Sequence, residues 1–188
     1  MMELVSEAST FAVKAHDGMR RKRAGLPYIL HPMEVAVIVS TMTSSQEVIA
    51  AAMLHDVVED AGVTLQEVEE HFGKRVAELV GSETENKRKN LPAASTWKLR
   101  KQESIDFLRG TDDLDIKILY LGDKLSNLRS IYPAWKVEGH DVWQSFNQKN
   151  PAEQAWYYRS IAENVSELSD TRAWKEFDGL VHQIFNGV

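Results

Sequence analysis

The residues best suited to chemistry lie in one short run, residues 54–60 (LHDVVED). At helical spacing His55 and Glu59 are i, i+4 neighbours, and so are Asp56 and Asp60. The residues before this run are almost all apolar, which predicts a buried surface where an unpartnered charge is costly. A divalent cation would remove that cost, because neutral imidazole and carboxylates are good ligands for Mn, Fe or Zn.

Two further ionisable residues lie where an ordinary core segment would not carry them. His31 belongs to the run YILHP (residues 28–32), just before a predicted helix. Asp123 interrupts a strongly apolar helical segment, and core helices rarely contain an unpaired aspartate. Together with His55 and Asp56 they offer two imidazoles and two carboxylates, with positions left for water and substrate. Such a metal site would activate a bound water and polarise a phosphoryl oxygen, as phosphoester hydrolysis requires.

The order H…HD…D resembles that of the HD superfamily of metal-dependent phosphohydrolases. Four segments make the resemblance narrower: RKRAGLPYILHP (21–32), LHDVVED (54–60), HFG (71–73) and LGDKLSNLRS (121–130). They are similar to the hydrolase domain of RelA/SpoT-type alarmone enzymes. Within that group the chain resembles the stand-alone small alarmone hydrolases, including the metazoan SpoT-homologue type.

This resemblance implies an enzyme that removes the 3′-diphosphate of ppGpp or pppGpp, giving GDP or GTP and pyrophosphate. It implies a divalent metal, with Mn²⁺ the usual ion. The metal ligands implied by position are His31, His55, Asp56 and Asp123. The acidic pair Glu59 and Asp60 matches the residues that orient and activate the attacking water.

The resemblance also implies contacts with the nucleotide substrate. The positions are Arg21, Lys22, Arg23, Asn127, Ser130 and Tyr157. The three basic residues fall where the family places an Arg-Lys pair on guanine and phosphate, and which two of them act stays open. Tyr157 is expected near the ribose or the phosphates, with core packing as an equal alternative.

One departure from the family lies beside a predicted metal ligand. Gly122 replaces the alanine that usually precedes the metal-binding aspartate. We expect this change mainly to loosen the helix, because glycine has more backbone freedom than alanine. Residues 86–90 also depart from the family, and we expect them to affect substrate choice.

Composition narrows the class of protein. Of 188 residues, 43% are hydrophobic and 27% charged, as in a soluble globular domain. The absence of cysteine excludes disulfides, thiolate nucleophiles and Cys-ligated zinc. The net charge of −6 opposes nucleic-acid binding. Residues 1–10 do not resemble a signal peptide, and no apolar run approaches the ~18 residues of a membrane span. We expect a cytoplasmic protein with a nucleotide substrate and no membrane partner.

Helical periodicity dominates the chain, and no segment shows the alternation of a strand. We therefore expect an all-α fold, a single-domain HD-type helical bundle of roughly eight helices covering residues 1–188. The His-Asp pair is predicted on a helix over 46–58, and Asp123 on a helix over 113–130. Residues 81–95 are predicted to be a loop, and 132–150 to be irregular. The apolar C-terminal helix could serve a homo-oligomer or the core.

Two other functions compete with the alarmone hydrolase. An HD hydrolase could act on another nucleotide, such as a ppApp-type alarmone or the 2′-phosphate of NADPH. A module of this fold could also bind an alarmone without turning it over. We disfavour the second alternative because Glu59 and Asp60, the expected acidic pair, are both present.

Overall fold

The computed structural model describes residues 3–21, 23, 25–88 and 90–188. Within these ranges the chain forms nine helices of eight or more residues, one isolated α-helical turn and two 3-10 segments. No strand occurs in this described part, where a single bridge pairs Arg20 with Pro27. The all-α prediction is confirmed, and the number of helices is close to the predicted eight.

The α-helices are α1 (Leu4–Ala15), α2 (Leu30–Ser40), α3 (Gln46–Leu54), α4 (Val57–Asp60), α5 (Leu65–Phe72), α6 (Lys74–Glu83), α7 (Ala93–Gly110), α8 (Leu114–Glu138), α9 (Pro151–Asn164) and α10 (Arg172–Phe185). The 3-10 segments are Gly139–Ser145 and Ser166–Leu168. In this described set, no helix combines the length and apolar character needed to cross a bilayer.

The described chain divides into two compact units. The first contains the residues up to Thr84 together with Leu114–Asp123. The second contains Glu85–Asp113 and Lys124–Val188. Helix α8 therefore contributes its first part to one unit and its remainder to the other. The expectation of one domain over residues 1–188 stays a prediction.

Helix α3 is the centre of the first unit and packs against α1, α2 and α6. Its residues Ala50, Ala51 and Ala52 are fully buried, as are Ala8 and Ala12 of α1. Small side chains at these contacts let neighbouring helices approach closely. The C-terminal end of α3 is thus held on several sides, which fixes the residues that follow it.

The predicted helix over 46–58 ends earlier than expected. Helix α3 stops at Leu54, a turn contains His55 and Asp56, and α4 begins at Val57. Asp56 has φ −97° and ψ −5°, away from ideal helical values, and this interrupts the helix. Both residues of the pair therefore lie at a junction between two helices.

The second unit corrects the prediction for residues 132–150. Helix α8 runs through Pro133 as far as Glu138, and a 3-10 segment, Gly139–Ser145, follows. A proline inside a helix removes one backbone hydrogen bond and normally marks its end, which is why the sequence suggested an irregular segment. Helix α9 packs against α7 and α10 around a fully buried core that includes Trp143.

Candidate metal centre

Four predicted ligands meet in the first unit. His31 is the second residue of α2, His55 and Asp56 lie in the turn after α3, and Asp123 lies on α8. Ligand atoms of His31, His55 and Asp123 all lie within 4.8 Å of one another. Asp56 Oδ2 lies 3.1 Å from His55 Nε2 and 3.7 Å from His31 Nε2. The turn and two helices thus direct two imidazoles and two carboxylates toward one point.

The orientation of His55 tests whether a metal fits. Its Nδ1 lies 2.8 Å from the carbonyl oxygen of Ala52, which favours the proton on Nδ1 and leaves a lone pair on Nε2. Nε2 is buried without a hydrogen-bond partner and faces Asp56 Oδ2 and, at 3.8 Å, Asp123 Oδ1. A lone pair opposite two carboxylates is repulsive unless a cation lies between them. A backbone carbonyl that fixes the second ring nitrogen is also typical of ligating histidines. The donor set therefore fits a divalent metal.

The pKa shifts at this centre also reflect the carboxylates that face the imidazoles. Burial lowers the pKa of His55, but the Asp56 carboxylate more than offsets it and raises that pKa to about 10. Burial raises the pKa of Asp56, and the nearby His55 offsets this and holds it well below the usual range. For His31, burial dominates and lowers the pKa. The carboxylates therefore favour a positive charge here, which a proton or a metal ion can supply.

The predicted acidic pair lies on α4, directly after the ligand turn. Glu59 is half-buried and Asp60 is exposed. The backbone N–H of Asp60 donates to the carbonyl of Asp56 at 2.9 Å, so the helical spacing between these two residues is kept despite the turn. A side chain with no predicted role, Tyr28, bridges Asp56 and Asp60. Its hydroxyl lies 2.7 Å from Asp56 Oδ2 and 3.2 Å from Asp60 Oδ2.

Two further residues, Tyr28 and His16, lie beside the ligands, and the sequence predicted a functional role for neither. Burial raises the pKa of Tyr28, so its hydroxyl keeps its proton. His16 is buried with its ring centroid 5.0 Å from that of Tyr28, and its Nε2 has no hydrogen-bond partner. A tyrosine in an apolar run and a histidine at a helix end are both common in cores, so no pattern marked either. Only the short distance from Tyr28 to His31 in sequence was a signal.

The basic loop before α2 is closed by backbone hydrogen bonds. The Arg21 N–H donates to the Leu26 carbonyl and the Gly25 N–H to the Arg21 carbonyl, each at 2.9 Å. Arg21 is half-buried, and its guanidinium carbon lies 5.6 Å from the centre of the Tyr28 ring. Arg23 is exposed, and Lys22 lies outside the described residues. Arg21, one of the three predicted basic residues, thus contacts Tyr28, which lies beside the ligands.

Gly122 has a packing role that the sequence did not indicate. A Cβ atom at this position would lie 2.7 Å from Val39 Cγ2 and 3.4 Å from Val35 Cγ1. Helix α8 therefore approaches α2 closely at the residue before Asp123. Helix α2 is the one that carries His31. The expectation that glycine mainly loosens the helix is incomplete, because the absent side chain permits this approach.

A cavity of about 160 Å³ lies in the second unit. Among its lining residues are Trp97, Lys101, Lys124, Asn127, Tyr157 and Tyr158. Asn127 and Tyr157, two of the predicted substrate contacts, thus share one cavity with two lysines. Ser130 is exposed, and its hydroxyl donates to the Asn127 carbonyl of its own helix at 2.9 Å. It is not among the residues lining this cavity.

An internal carboxylate lies close to these cations. Lys101 Nζ lies 2.6 Å from Glu85 Oε1, and Arg100 donates to the other oxygen of Glu85. Burial raises the pKa of Glu85, but Lys101 more than offsets this, and the pKa falls to about 2. Lys101 Nζ also lies 4.7 Å from the centre of the Tyr157 ring. No sequence pattern indicated Glu85 as an internal counter-ion.

A family model described as an HD domain matches residues 8–152, more than half of the chain. The chain belongs to the HD domain family. Its membership agrees with the site, since the two imidazoles and two carboxylates are those of the H…HD…D pattern.

Curated relatives of this HD domain protein include one named as a pyrophosphohydrolase and one named as a pyrophosphokinase. It is 33% identical over 130 residues to the guanosine-3′,5′-bis(diphosphate) 3′-pyrophosphohydrolase of Aquifex aeolicus, covering 69% of this chain and 18% of the relative. It is 31% identical over 128 residues to the GTP pyrophosphokinase rsh of Brucella ovis, covering 68% and 17%. The chain therefore spans less than a fifth of the length of these relatives.

Two solved structures match the HD domain protein over most of its length. The structure of lmo0812 from Listeria monocytogenes has a TM-score of 0.71 at 36% identity, covering 82% of this chain and 98% of that one. A metazoan orthologue of SpoT, described as hydrolyzing ppGpp and playing a role in starvation responses, has a TM-score of 0.77 at 25% identity. This match covers 97% of this chain and 96% of the orthologue. The resemblance to small alarmone hydrolases is confirmed.

Proposed function

We propose that this HD domain protein is a metal-dependent hydrolase that removes the 3′-diphosphate of ppGpp and pppGpp. The observation that carries the proposal is the buried Nε2 of His55, which faces two carboxylates without a hydrogen-bond partner. The substrate class is supported by the similarity to a metazoan orthologue described as hydrolyzing ppGpp, of which 96% is covered. The name of the Aquifex relative gives the same class of substrate.

The proposed metal ligands are His31, His55, Asp56 and Asp123. All four offer nitrogen or oxygen donors, and the chain has no cysteine, which suits Mn²⁺ as the proposed ion. A bound divalent cation would lower the pKa of a coordinated water and polarise a phosphoryl oxygen. The chain itself contributes the fixed orientation of His55 and the closely packed position of Asp123.

The proposed catalytic pair is Glu59 and Asp60. Half-buried Glu59 would accept a proton from the attacking water, and Asp60 would hold the water in place. The water oxygen attacks the phosphorus attached to the 3′ oxygen, and the bond between them breaks. The 3′ oxygen then takes up a proton, so the products are GDP or GTP and pyrophosphate.

The proposed substrate contacts are Arg21, Lys22, Arg23, Asn127, Ser130 and Tyr157. Arg21 is supported by its contact with the ring of Tyr28. Asn127 and Tyr157 are supported by their shared cavity, where two lysines suit phosphate oxygens. Lys22, Arg23 and Ser130 are supported by the family resemblance alone.

The remaining proposals concern partners and location. A nucleotide substrate supports a cytoplasmic location, because free nucleotides are intracellular metabolites. The net charge of −6 supports a protein that does not bind nucleic acid. A homo-oligomer stays a prediction, and the molar mass in solution would test it.

The direct test is a hydrolysis assay on three nucleotides in parallel. Purified protein with Mn²⁺ is incubated with ppGpp, ppApp or NADPH, and release of pyrophosphate and phosphate is followed. We expect pyrophosphate and GDP from ppGpp in equal amounts. Turnover of ppApp or NADPH in place of ppGpp would refute the proposed substrate. No turnover of any nucleotide by protein with bound metal would refute the enzyme and favour a binding module.

A further inference from the structure

Tyr28, for which the sequence predicted no role, contacts two acidic residues of the candidate centre. Its hydroxyl donates to Asp56 Oδ2 at 2.7 Å and lies 3.2 Å from Asp60 Oδ2. We propose that Tyr28 is a positioning residue, whose hydroxyl holds the metal ligand Asp56 and the acidic residue Asp60 in register. This inference rests on the proposed function and adds a residue to it.

The hydroxyl acts on the oxygen that faces the imidazoles. Asp56 Oδ2 accepts from Tyr28 and is also the oxygen nearest to His55 Nε2, at 3.1 Å, and to His31 Nε2, at 3.7 Å. Ligating carboxylates are themselves commonly hydrogen-bonded, and loss of such a partner costs about 10- to 100-fold in metal affinity or activity. The Tyr28 hydroxyl is placed to restrict rotation of the Asp56 carboxylate.

The hydroxyl also lies between two carboxylates of like charge. Asp56 and Asp60 are one helical turn apart, where like charges repel. A shared donor offsets this repulsion and gives the exposed Asp60 carboxylate a defined direction. Tyr28 thus couples a residue proposed to hold the metal to one proposed to hold the attacking water.

The backbone of Tyr28 is fixed on both sides. Its N–H donates to the Met19 carbonyl, and its carbonyl accepts from the N–H of His31, both at 2.9 Å. One residue therefore contacts the main chain of one proposed ligand and the side chain of another. Because the main chain is held, the hydroxyl reaches Asp56 from a position that the loop and α2 determine together.

The ring of Tyr28 is packed independently of its hydroxyl. Its centroid lies 5.0 Å from that of His16 and 6.0 Å from that of His31, and Arg21 lies over the ring. A phenylalanine would keep these contacts and lose only the hydrogen bonds. This separates a positioning role, which depends on the hydroxyl, from a packing role, which depends on the ring.

The test compares Tyr28→Phe with Tyr132→Phe. Tyr132 is a matched control because its hydroxyl also donates to one side chain, Gln183 Oε1 at 2.6 Å, and it belongs to the second unit. Four quantities are measured for each variant: the Kd for Mn²⁺ by calorimetry on metal-free protein, the kcat and the KM for ppGpp, and the Tm. For Tyr28→Phe we expect a 10- to 100-fold weaker Kd or lower kcat, with KM within about twofold. Tyr132→Phe should change the Kd, kcat and KM by no more than about twofold.

Restoring a donor at the same position completes the experiment. Replacing Tyr28 with 4-aminophenylalanine, which keeps a para N–H donor, should recover most of the lost affinity or kcat. Wild-type Kd and kcat in Tyr28→Phe, an unfolded Tyr28→Phe, or a loss that the amino group does not recover would overturn the proposal. If the wild-type chain neither binds Mn²⁺ nor hydrolyses ppGpp, the proposed function itself fails, which is a separate result.

Discussion

The two units of the molecule hold their ionised groups in different ways. In the first unit, the buried Nε2 of His55 faces the carboxylates of Asp56 and Asp123, an arrangement that favours an added positive charge. In the second unit, the chain supplies both signs, since Glu85 is bonded to Lys101 and Arg100. The first arrangement suits a cation from outside the chain. The second already holds a carboxylate of its own chain between its cations.

The largest effect is expected from His55→Ala, which removes one proposed metal ligand. Because loss of an outer hydrogen-bond partner costs about 10- to 100-fold, loss of a ligand should weaken Mn²⁺ binding by more than about 100-fold. Hydrolysis of ppGpp should fall with it. Calorimetry and pyrophosphate release measure the two effects. The control is His182→Ala, because His182 is exposed on α10; equal losses in both variants would contradict a metal site at His55.

The next effect is expected from Glu59→Gln, which removes a proposed base and leaves the ligands in place. The kcat for ppGpp should fall by about 10²- to 10⁴-fold, the usual contribution of general acid–base catalysis. The Kd for Mn²⁺ should stay within a few-fold of the wild-type value. Glu78→Gln, a change at an exposed glutamate of α6, serves as the control. Full activity in Glu59→Gln would show that the acidic pair has another role.

In the second unit, we expect Glu85→Gln to lower the free energy of unfolding by an amount that depends on pH. The folded-state pKa of Glu85 is about 2, below its ordinary value of 4.5. Ionised Glu85 therefore stabilises the fold in full above about pH 4.5, and this contribution disappears as the pH falls toward 2. The shift corresponds to about 3 kcal/mol at neutral pH. Urea unfolding should show that difference at pH 7 and a smaller one at pH 3.5.

The control for Glu85 is Glu176→Gln. Glu176 accepts hydrogen bonds from Arg129 at 2.6 and 2.7 Å, but both side chains are more than a third exposed. Exposed ion pairs contribute about 0–1 kcal/mol, so this change should have a small effect. A loss at Glu85 that is no larger, or that does not shrink at low pH, would contradict a buried counter-ion.

The smallest effect is expected from Gly122→Ala, which returns the residue usual in the family. The added methyl group meets Val39, and overpacking of this kind costs about 1–3 kcal/mol, partly offset by about 1 kcal/mol of helix propensity. Gly179→Ala on α10 is the matched control, since nothing lies within 4 Å of its Cβ position. Thermal unfolding should show a lower Tm for Gly122→Ala and a higher Tm for Gly179→Ala. A raised Tm in both would mean that α2 adjusts to the methyl group.

Helical periodicity predicted the all-α class, and the four ligand candidates were predicted for a separate reason. Each candidate stands in or beside an apolar segment, where an ionisable side chain needs a partner. The structure brings His31, His55, Asp56 and Asp123 together, although they come from three separate segments of the chain. Charge in an apolar context is a strong signal because burying it is costly.

Other features of the site depended on contacts between distant residues. Glu85 and Lys101 are sixteen positions apart, and no pattern linked a loop carboxylate to a lysine of α7. The Tyr28 hydroxyl reaches Asp56 across 28 positions, and tyrosine is compatible with ordinary packing. The break at His55 and the continuation of α8 through Pro133 oppose local propensity, which is a weak guide where tertiary context acts against it.

Metal removal followed by reconstitution is the most direct test of the proposed metal-dependent hydrolase. The protein is stripped with a chelator, its metal content is measured, and pyrophosphate release from ppGpp is followed before and after addition of Mn²⁺. We predict no release from the metal-free protein and restored release, with equal amounts of GDP, once Mn²⁺ is bound. Full turnover by protein shown to be metal-free, or no turnover by protein shown to hold Mn²⁺, would contradict the account.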